Sequence, residues 1–392
     1  MTIISLTKVD VGMMEDVGTS ANQLVQLDSN AKIPAVDGSL LTGLGAASGS
    51  SDPTISTNPS GGVGTKFINT TDGEIFICTD ATAGANVWTN VGVGSADILP
   101  VSHAQGNNYG YCLAGTGSCN IISKYSFTVD GNDVDVADLT VARYTPAGAS
   151  SLTHGYCAAG YGGGNRVIDR FSFAAGTNAV DVGDTYAASY IVGGTYSATY
   201  GYIHCGTAGN VLQKYQMAAS ANGTDVGNMR GTPYTINGAS SENYGYLLGG
   251  NPSPSGGTEI EKYSYTTDGN STDVGDLGGG AFTHAGANDK SYGYAIAGGT
   301  TYNVIEKFAF ANESTVTDVG DLDRYVGSLS ATSSYTHGYA AGGYGNTHGG
   351  PGHGYMNNLS KFSFSAGGNS TDVGDLASRS GNTVAEHAPA AY

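Results

Sequence analysis

The residues whose types and spacing could do chemistry recur as a short acidic element. The tetrapeptide Asp-Val-Gly-Asp occurs at 181–184, 273–276, 318–321 and 372–375, with variants at 135–138 and 225–228. Carboxylate oxygens on either side of a glycine are ligands that a hard cation such as calcium prefers. The same carboxylates could instead form ion pairs or turns, so both interpretations are open.

A cation beside an aromatic residue precedes each acidic element. The first Asp could pair with that cation inside its repeat, and the second could accept backbone N–H bonds in a turn. We favour this structural interpretation over calcium because every repeat supplies one cation. The residues are Asp135, Asp181, Asp225, Asp273, Asp318 and Asp372, with Lys124, Arg170, Lys214, Lys262, Lys307 and Lys361.

Histidines gather in the last repeat, at His337, His348 and His353. Imidazole nitrogens can bind zinc or nickel, but a metal site also needs a fixed geometry, which a loop rich in glycine and proline does not provide. We therefore expect no metal and no cofactor.

The last repeat also has the longest loop, from Gly343 to Lys361. Insertions at one point of a repeat lie on one face, which is often the binding face. Aromatic rings cover the apolar faces of a sugar, and amides bond its hydroxyls. The sequence therefore predicts contacts with a receptor, most simply a glycan, at Tyr344, His348, His353, Tyr355, Asn357 and Asn358.

Motifs of several enzyme classes are absent from the sequence. It contains no Gly-x-Ser-x-Gly, Walker or His-Glu-x-x-His motif, and no Ser-x-Asp-x-Gly-x-x-Trp box of the kind found in sialidases. The carboxylates of a glycoside hydrolase could converge from different repeats, although glutamate is rare. We expect a protein that is not an enzyme, and a glycan depolymerase remains an alternative.

Six repeats must position all of these residues. Their central glycines are 44 to 48 residues apart, at Gly110, Gly155, Gly201, Gly245, Gly293 and Gly338. Four short strands in a repeat of this length are typical of a propeller blade. The sequence therefore predicts an all-β fold, a six-bladed β-propeller with four-stranded blades over residues 98–392. Small residues at 148–151 and 327–331 suit inner strands.

The C-terminal segment 382–386 follows the last acidic element, where the inner strand of a further repeat would lie. It could complete the first blade or pack outside the ring. We favour the first, because a closed ring leaves no unpaired strand edge.

The composition favours an all-β chain that does not bind nucleic acid. The 392 residues include 63 glycines and carry a formal charge of −18. Glycine disfavours helices, and phosphate binding needs clustered basic residues. Without a signal peptide or an apolar run of about 20 residues, we expect cytoplasmic assembly and no membrane insertion. Cys112 and Cys157 are expected in core strands without disulfides.

The residues before the repeats are expected to form two small parts. Residues 1–50 hold a plausible short helix at 21–27 and have too little apolar surface to fold alone, which predicts an attachment and oligomerisation segment. Residues 51–97 combine linker composition with a β-hairpin around Asp72 and Gly73. Both parts need a packing partner, most simply another copy of the chain.

Two of these segments, Asn22–Gly43 and Phe67–Val91, resemble parts of tail fibres and other appendages of tailed phages, the second notably in phages of marine cyanobacteria. The resemblance implies a virion structural protein: a homotrimer attached to other tail or capsid proteins through its N-terminus, with the propeller binding a host surface glycan or protein. Three propellers linked in one trimer would raise the overall affinity for a surface above the weak affinity of one sugar site. The alternative is a structural or decorating subunit of capsid, neck or tail.

Glycine doublets at Gly249-Gly250, Gly298-Gly299 and Gly342-Gly343 resemble those of kelch repeats. The tryptophan expected late in a kelch unit is missing from all six repeats. The resemblance therefore implies architecture alone, and no partner of the kelch family follows from it.

Overall fold

A computed structural model describes residues 46–91, 106, 108–115, 117, 119–163, 165–204, 206–232, 238–250, 257–279, 284–298, 302–347, 353–377 and 384–388. The chain divides into two compact units, Met1–Pro100 and Val101–Tyr392. The described residues are mostly β-strand and turn, with a short 3-10 helix at Gly206–Ala208. None of the helices they form is both long enough and apolar enough to cross a lipid bilayer. The helix predicted at 21–27 lies outside them.

The described part of the first unit is a four-stranded sheet. Its strands are β1 (Ala47–Gly49), β2 (Lys66–Asn69), β3 (Ile75–Asp80) and β4 (Val87–Asn90). They lie side by side in this order, with β1 parallel to β2 and the other pairs antiparallel. The predicted hairpin is confirmed as β2 and β3, and Gly73 adopts the left-handed φ of +84° that its turn requires.

This sheet has a small core of its own, formed by Phe67, Phe76, Cys78 and Trp88. The composition of Gly45–Gly64 predicts a linker, but its residues Ala47–Gly49 form β1, which pairs with β2. Gly49 makes that pairing possible, because a Cβ there would lie 3.0 Å from Cζ of Phe67. The backbone carbonyl of Gly49 also accepts a bond from the N–H of Thr70, at 2.7 Å.

The second unit continues the strand order along the chain. The first three repeats contain β5 (Tyr109–Leu113), β6 (Cys119–Ser126), β7 (Val134–Tyr144), β8 (Ala147–Ser150), β9 (His154–Ala158), β10 (Tyr161–Gly162), β11 (Val167–Ser172), β12 (Val180–Asp184), β13 (Gly193–Tyr196), β14 (Tyr200–His204), β15 (Val211–Gln216) and β16 (Thr224–Asn228).

The last three repeats contain β17 (Gly238–Ser240), β18 (Tyr244–Leu248), β19 (Glu259–Ser264), β20 (Thr272–Asp276), β21 (Ala285–Asn288), β22 (Tyr292–Ile296), β23 (Val304–Ala309), β24 (Asn312–Asp321), β25 (Arg324–Gly327), β26 (Ser330–Ser333), β27 (His337–Ala341), β28 (Tyr344–Thr347), β29 (Gly354–Tyr355), β30 (Asn358–Ser363), β31 (Thr371–Asp375) and β32 (Val384–Ala388).

Apart from β25, β28 and β29, these strands form six antiparallel sheets that follow the six repeats one for one. Five have the orders β8-β9-β11-β12, β13-β14-β15-β16, β17-β18-β19-β20, β21-β22-β23-β24 and β26-β27-β30-β31. The other joins both ends of the unit in the order β32-β5-β6-β7, with β10 added outside β7. The C-terminal strand therefore completes the first sheet, which confirms the favoured closure.

The first strands of neighbouring sheets contact one another in the cyclic order β32, β8, β13, β17, β21, β26 and again β32. This radial arrangement of antiparallel sheets is that of a β-propeller. Small residues line the centre as expected, since β8 reads Ala-Gly-Ala-Ser and is fully buried. Cys112 and Cys157 are buried in β5 and β9, as predicted for core strands.

A glycine and an aromatic ring face each other inside each of these six sheets. Gly245 lies opposite Tyr263, and a Cβ on this glycine would be 2.5 Å from Cζ of the ring. Because glycine has no side chain, the ring can occupy the space in which a Cβ would lie. The other pairs are Gly110 with Tyr125, Gly155 with Phe171, Gly201 with Tyr215, Gly293 with Phe308 and Gly338 with Phe362.

The tyrosine after each of these glycines packs on aromatic rings of the next sheet. Tyr246 lies against Phe308 and Phe310, with ring centroids 5.3 and 5.0 Å apart. The series closes on itself, because Tyr339 of the last sheet packs on Phe127 of the first at 4.7 Å. These aromatic contacts hold the sheets at fixed relative positions, so the loops at their edges have a rigid support.

Candidate functional site

The acidic elements serve as joints between neighbouring sheets. Oδ1 of Asp318 accepts the backbone N–H of Gly320 at 3.0 Å, and the N–H of Asp321 donates to Oδ1 of Asn369 in the next sheet at 3.1 Å. The prediction that the second Asp accepts backbone N–H groups in a turn is therefore wrong, because the first Asp accepts them. The same bond to a glycine is made by Asp181, Asp225, Asp273 and Asp372.

The glycine of the element is required by the close approach of the next sheet. A Cβ on Gly320, whose φ is +150°, would lie 2.3 Å from the carbonyl oxygen of Gly368. One carboxylate oxygen of the first Asp therefore accepts a hydrogen bond within its own turn. The backbone of the next sheet packs closely against this turn. In Asp372 the second oxygen accepts the side-chain amide of Asn358 at 2.8 Å. Asp135 lies in β7 at the same position of its repeat.

The predicted ion pair within a repeat is wrong for three of the lysines. Lys214, Lys262 and Lys361 instead contact carboxylates of the following sheet, at 2.6, 2.7 and 2.5 Å. The reason is the alternation of side chains along a strand. Lys214 lies opposite Thr224, so the adjacent Asp225 projects from the other face of the sheet.

The remaining cations of the series have other surroundings. Lys124 and Lys307 lie over the rings of Tyr109 and Tyr292, with Nζ 4.5 and 4.6 Å from the ring centroids. Arg170 lies opposite Tyr156 in the second sheet. These cations therefore form part of the contacts between strands, as a structural role predicts, but not with the expected partner.

The long loop of the last repeat forms a small sheet of its own. Strands β25, β28 and β29 pair in the order β25-β28-β29, with Tyr344 opposite Tyr355. The two tyrosine rings meet edge to face at 5.1 Å, and the His353 ring stacks on Tyr344 at 6.3 Å. We call these three residues the aromatic cluster. Both tyrosines are exposed, at 38% and 45%.

The structure thus brings together three of the six predicted contact residues. Asn357 and Asn358 instead hold the base of the loop, because their backbone carbonyls accept the N–H groups of Leu376 at 2.6 Å and Gly342 at 2.9 Å. The side-chain amide of Asn358 is also engaged, as described above. His348 lies outside the described residues.

A buried arginine anchors the small sheet to the sixth blade. Arg324 begins β25, and its guanidinium bonds Asp323 at 2.9 Å and the carbonyl oxygen of Asn358 at 3.2 Å. It also donates to the hydroxyl of Ser360. Burial lowers the pKa of this arginine, and the nearby carboxylate stabilises its charge. The aromatic cluster therefore stands on a rigid base.

A second group of rings, in which Tyr161 is exposed and Tyr144 and Tyr190 are half-buried, was missed by the sequence predictions. Tyr161 lies 4.9 Å from Tyr144 and 5.0 Å from Tyr190, measured between ring centroids. Tyr161 forms the short strand β10 beside Arg143, which is buried and ion-paired to Asp169. A signal was present, because Gly-Tyr-Gly occurs at 160–162 and at 343–345 at the same point of two repeats.

Three acids of the first unit, Asp52, Asp72 and Glu74, could share a cation by distance, and in the part of the chain that the structure describes no other such group is found. The amide of Asn69 already donates to Asp52 at 2.8 Å and to Asp72 at 2.9 Å. The hydrogen bonds of the hairpin turn therefore account for the close approach of these acids without a cation.

Comparisons with known proteins extend only to the fold. No family model matches the chain, and no curated protein matches it. A solved structure titled "Structure of YjhT", a kelch-type propeller, is similar with a TM-score of 0.51 and 12% identity. The match covers 62% of this chain and 86% of that one. The predicted all-β propeller fold is confirmed. At this identity the likeness carries no function.

Proposed function

We propose that the chain is a structural protein of a phage virion, an appendage of the tail-fibre type, whose propeller binds a glycan on the host surface. The observation that carries the proposal is the aromatic cluster of Tyr344, His353 and Tyr355. Its exposed rings stand on a small sheet over a buried arginine, and the described residues of the other repeats form no such three-stranded sheet. A cluster of exposed rings marks a contact site on a protein surface more strongly than single exposed rings do.

The chemistry of the aromatic cluster suits a sugar. Ring faces cover the apolar side of a pyranose, while the Tyr hydroxyls and the imidazole bond its hydroxyl groups. The second group of rings, around Tyr161, offers the same chemistry on the same edge of the sheets, since both groups follow the second strand of a blade. Several weak sugar contacts on one face would add by avidity, and more so in a homotrimer.

The attachment role rests on the resemblance of Asn22–Gly43 and Phe67–Val91 to segments of phage appendages. In this proposal the first unit joins the chain to other virion tail or capsid proteins and to two further copies. The protein acts by binding and not by catalysis, and its place is the virion after assembly in the host cytoplasm. Light scattering of the full chain should give three times the chain mass of 39.6 kDa.

Binding of the fluorescently labelled full chain to cells and extracted surface polysaccharides of marine cyanobacteria tests the proposal. Double substitution of Tyr344→Ser and Tyr355→Ser should reduce binding at least tenfold, while Tyr186→Ser, an exposed tyrosine outside both groups, should leave it unchanged. Binding that survives the double substitution would remove the assigned site. If the trimer binds no strain, the result would favour a decorating subunit. If the chain releases reducing ends from the polysaccharide, the result would favour a depolymerase.

A further inference from the structure

A lysine lies on the third strand of five of the six sheets, with Arg170 in the second sheet, and these lysines differ in their acidic partners. Lys214 and Lys262 each have two partners: a tyrosine ring of their own sheet, at 4.8 and 4.7 Å, and a carboxylate of the next sheet. Lys307 has the ring of Tyr292 but no carboxylate among the described residues. A complete site of this kind therefore has a ring below the ammonium group and an acid beside it.

The sequence of the facing loop explains the difference. The acids that meet Lys361, Lys214 and Lys262 are the fifth residues after the inward aromatic of their repeats, namely Asp130, Asp268 and Glu313. In the sixth repeat, which faces Lys307, the fifth residue after Phe362 is Gly367. The sixth repeat thus lacks the side chain that would neutralise Lys307.

An open cavity occupies this place. Its volume is about 260 Å³, and it lies between the fifth and sixth sheets, lined by Tyr294, Lys307, Val319 and the loop from Ser363 to Gly368. The Gly367 position is free on the cavity side, since a Cβ there would meet nothing closer than the Val319 carbonyl oxygen at 3.4 Å. This volume is slightly below the range of about 300–1,000 Å³ of small-molecule pockets, and suits a small ligand.

The polar groups of the cavity favour an anion with hydroxyl groups. Lys307 supplies the charge, and the Ser363 and Ser365 hydroxyls, 3.3 Å apart, lie in the lining loop. None of the lining residues is an acid. Asp289 accepts the hydroxyl of the lining residue Tyr294 at 2.9 Å and the backbone N–H groups of Ser291 and Tyr292 at 2.7 Å. Its lone pairs are therefore already engaged.

We propose that this cavity binds the carboxylate of an acidic sugar of the uronate class, which takes the place beside Lys307 that Asp268 and Glu313 take in neighbouring sheets. The carboxylate pairs with Lys307 Nζ, and the sugar hydroxyls bond the Ser363 and Ser365 hydroxyls. The site lies where the third strand meets the fourth, at the opposite edge of the sheets from the aromatic cluster. It is therefore independent of the proposed glycan contact there.

Titration of the full chain with D-glucuronate, followed by calorimetry, tests this site, with D-glucose as the neutral probe. Glucuronate should bind and glucose should not. Lys307→Gln should weaken glucuronate binding at least tenfold, because an ion pair and a charge-assisted hydrogen bond are lost. Gly367→Asp should weaken it as much, because the new carboxylate occupies the site; aspartate tolerates the φ of +64° at this position better than most residues.

Lys214→Gln is the matched control, because this lysine has the same ring contact and an internal acid. It should bind glucuronate as the natural chain does. Equal affinity for glucose and glucuronate, or unchanged binding in Lys307→Gln, would overturn the proposal. So would loss of binding in Lys214→Gln, which places the ligand in another groove. Circular dichroism checks that each variant is folded.

Discussion

Tyr339 in the last repeat packs on Phe127 in the first, with ring centroids 4.7 Å apart, and its hydroxyl donates to the Phe127 carbonyl oxygen at 3.2 Å. This contact joins residues more than 200 positions apart and closes the ring of sheets together with β32. The ends of the unit are therefore fastened twice, by a strand pairing at the centre and by aromatic rings farther out.

Removal of the Tyr339 ring should open this closure. We expect Tyr339→Ala to lower the free energy of unfolding by about 3–5 kcal/mol, the range for loss of a large buried aromatic side chain. Tyr339→Phe removes only the hydroxyl bond and should cost about 1 kcal/mol. Urea unfolding measures both. Equal stabilities of the two variants would contradict a role for the ring in closure.

Addition of a methyl group at Gly293 should displace the Phe308 ring. The new Cβ would lie 2.3 Å from Cζ of the ring, so we expect Gly293→Ala to destabilise the chain by about 1–3 kcal/mol, as overpacking of a core does. Gly269→Ala is the control, because nothing lies within 4 Å of its Cβ position. Thermal unfolding compares the two. A Gly293→Ala variant as stable as Gly269→Ala would refute the glycine and ring pairing.

Loss of the Arg143 charge should leave a buried carboxylate without its cation. Arg143 and Asp169 are fully buried, and Asp169 also accepts the Thr140 hydroxyl at 2.6 Å. We expect Arg143→Met to cost about 3–5 kcal/mol, and the double variant Arg143→Met with Asp169→Leu to cost less than that. A double-mutant cycle of denaturation midpoints measures this. Additive effects of the two substitutions would show that the pair is not coupled.

Stability should fall in mild acid because of His284. Burial lowers the pKa of this histidine to about 4. Between pH 6.5 and 4 the unfolded chain takes up a proton that the folded chain does not, so folding loses up to about 3 kcal/mol as the pH falls through this window. Above pH 6.5 the histidine is neutral in both states and has no such effect.

The substitution His284→Leu isolates this contribution. Leu329 occupies the same position of the sixth repeat, directly before the inner strand, and is buried there. The variant should show a flatter dependence of the free energy of unfolding on pH between 6.5 and 4 than the natural chain. Parallel curves for the two proteins would assign the acid sensitivity to other groups, such as the buried His204.

The candidate site was partly predictable from the sequence. The length of the loop after Gly343 and its aromatic content indicated Tyr344, His353 and Tyr355, since insertions in repeats lie at one edge. The roles of Asn357 and Asn358 at the base of the loop were not predictable. They depend on which backbone groups of the last sheet need partners, and spacing along the chain does not show this.

The sequence alone determined the repeat, the four strands of each repeat and the inner position of the small residues, because periodicity and side-chain size act locally. It also indicated that the C-terminus completes the first sheet. Only the tertiary structure decided that Lys214 pairs with Asp268, that β1 joins the sheet of the first unit and that Lys307 has no acid beside it among the described residues. These contacts join separate sheets or distant segments, and packing, not spacing, brings their residues together.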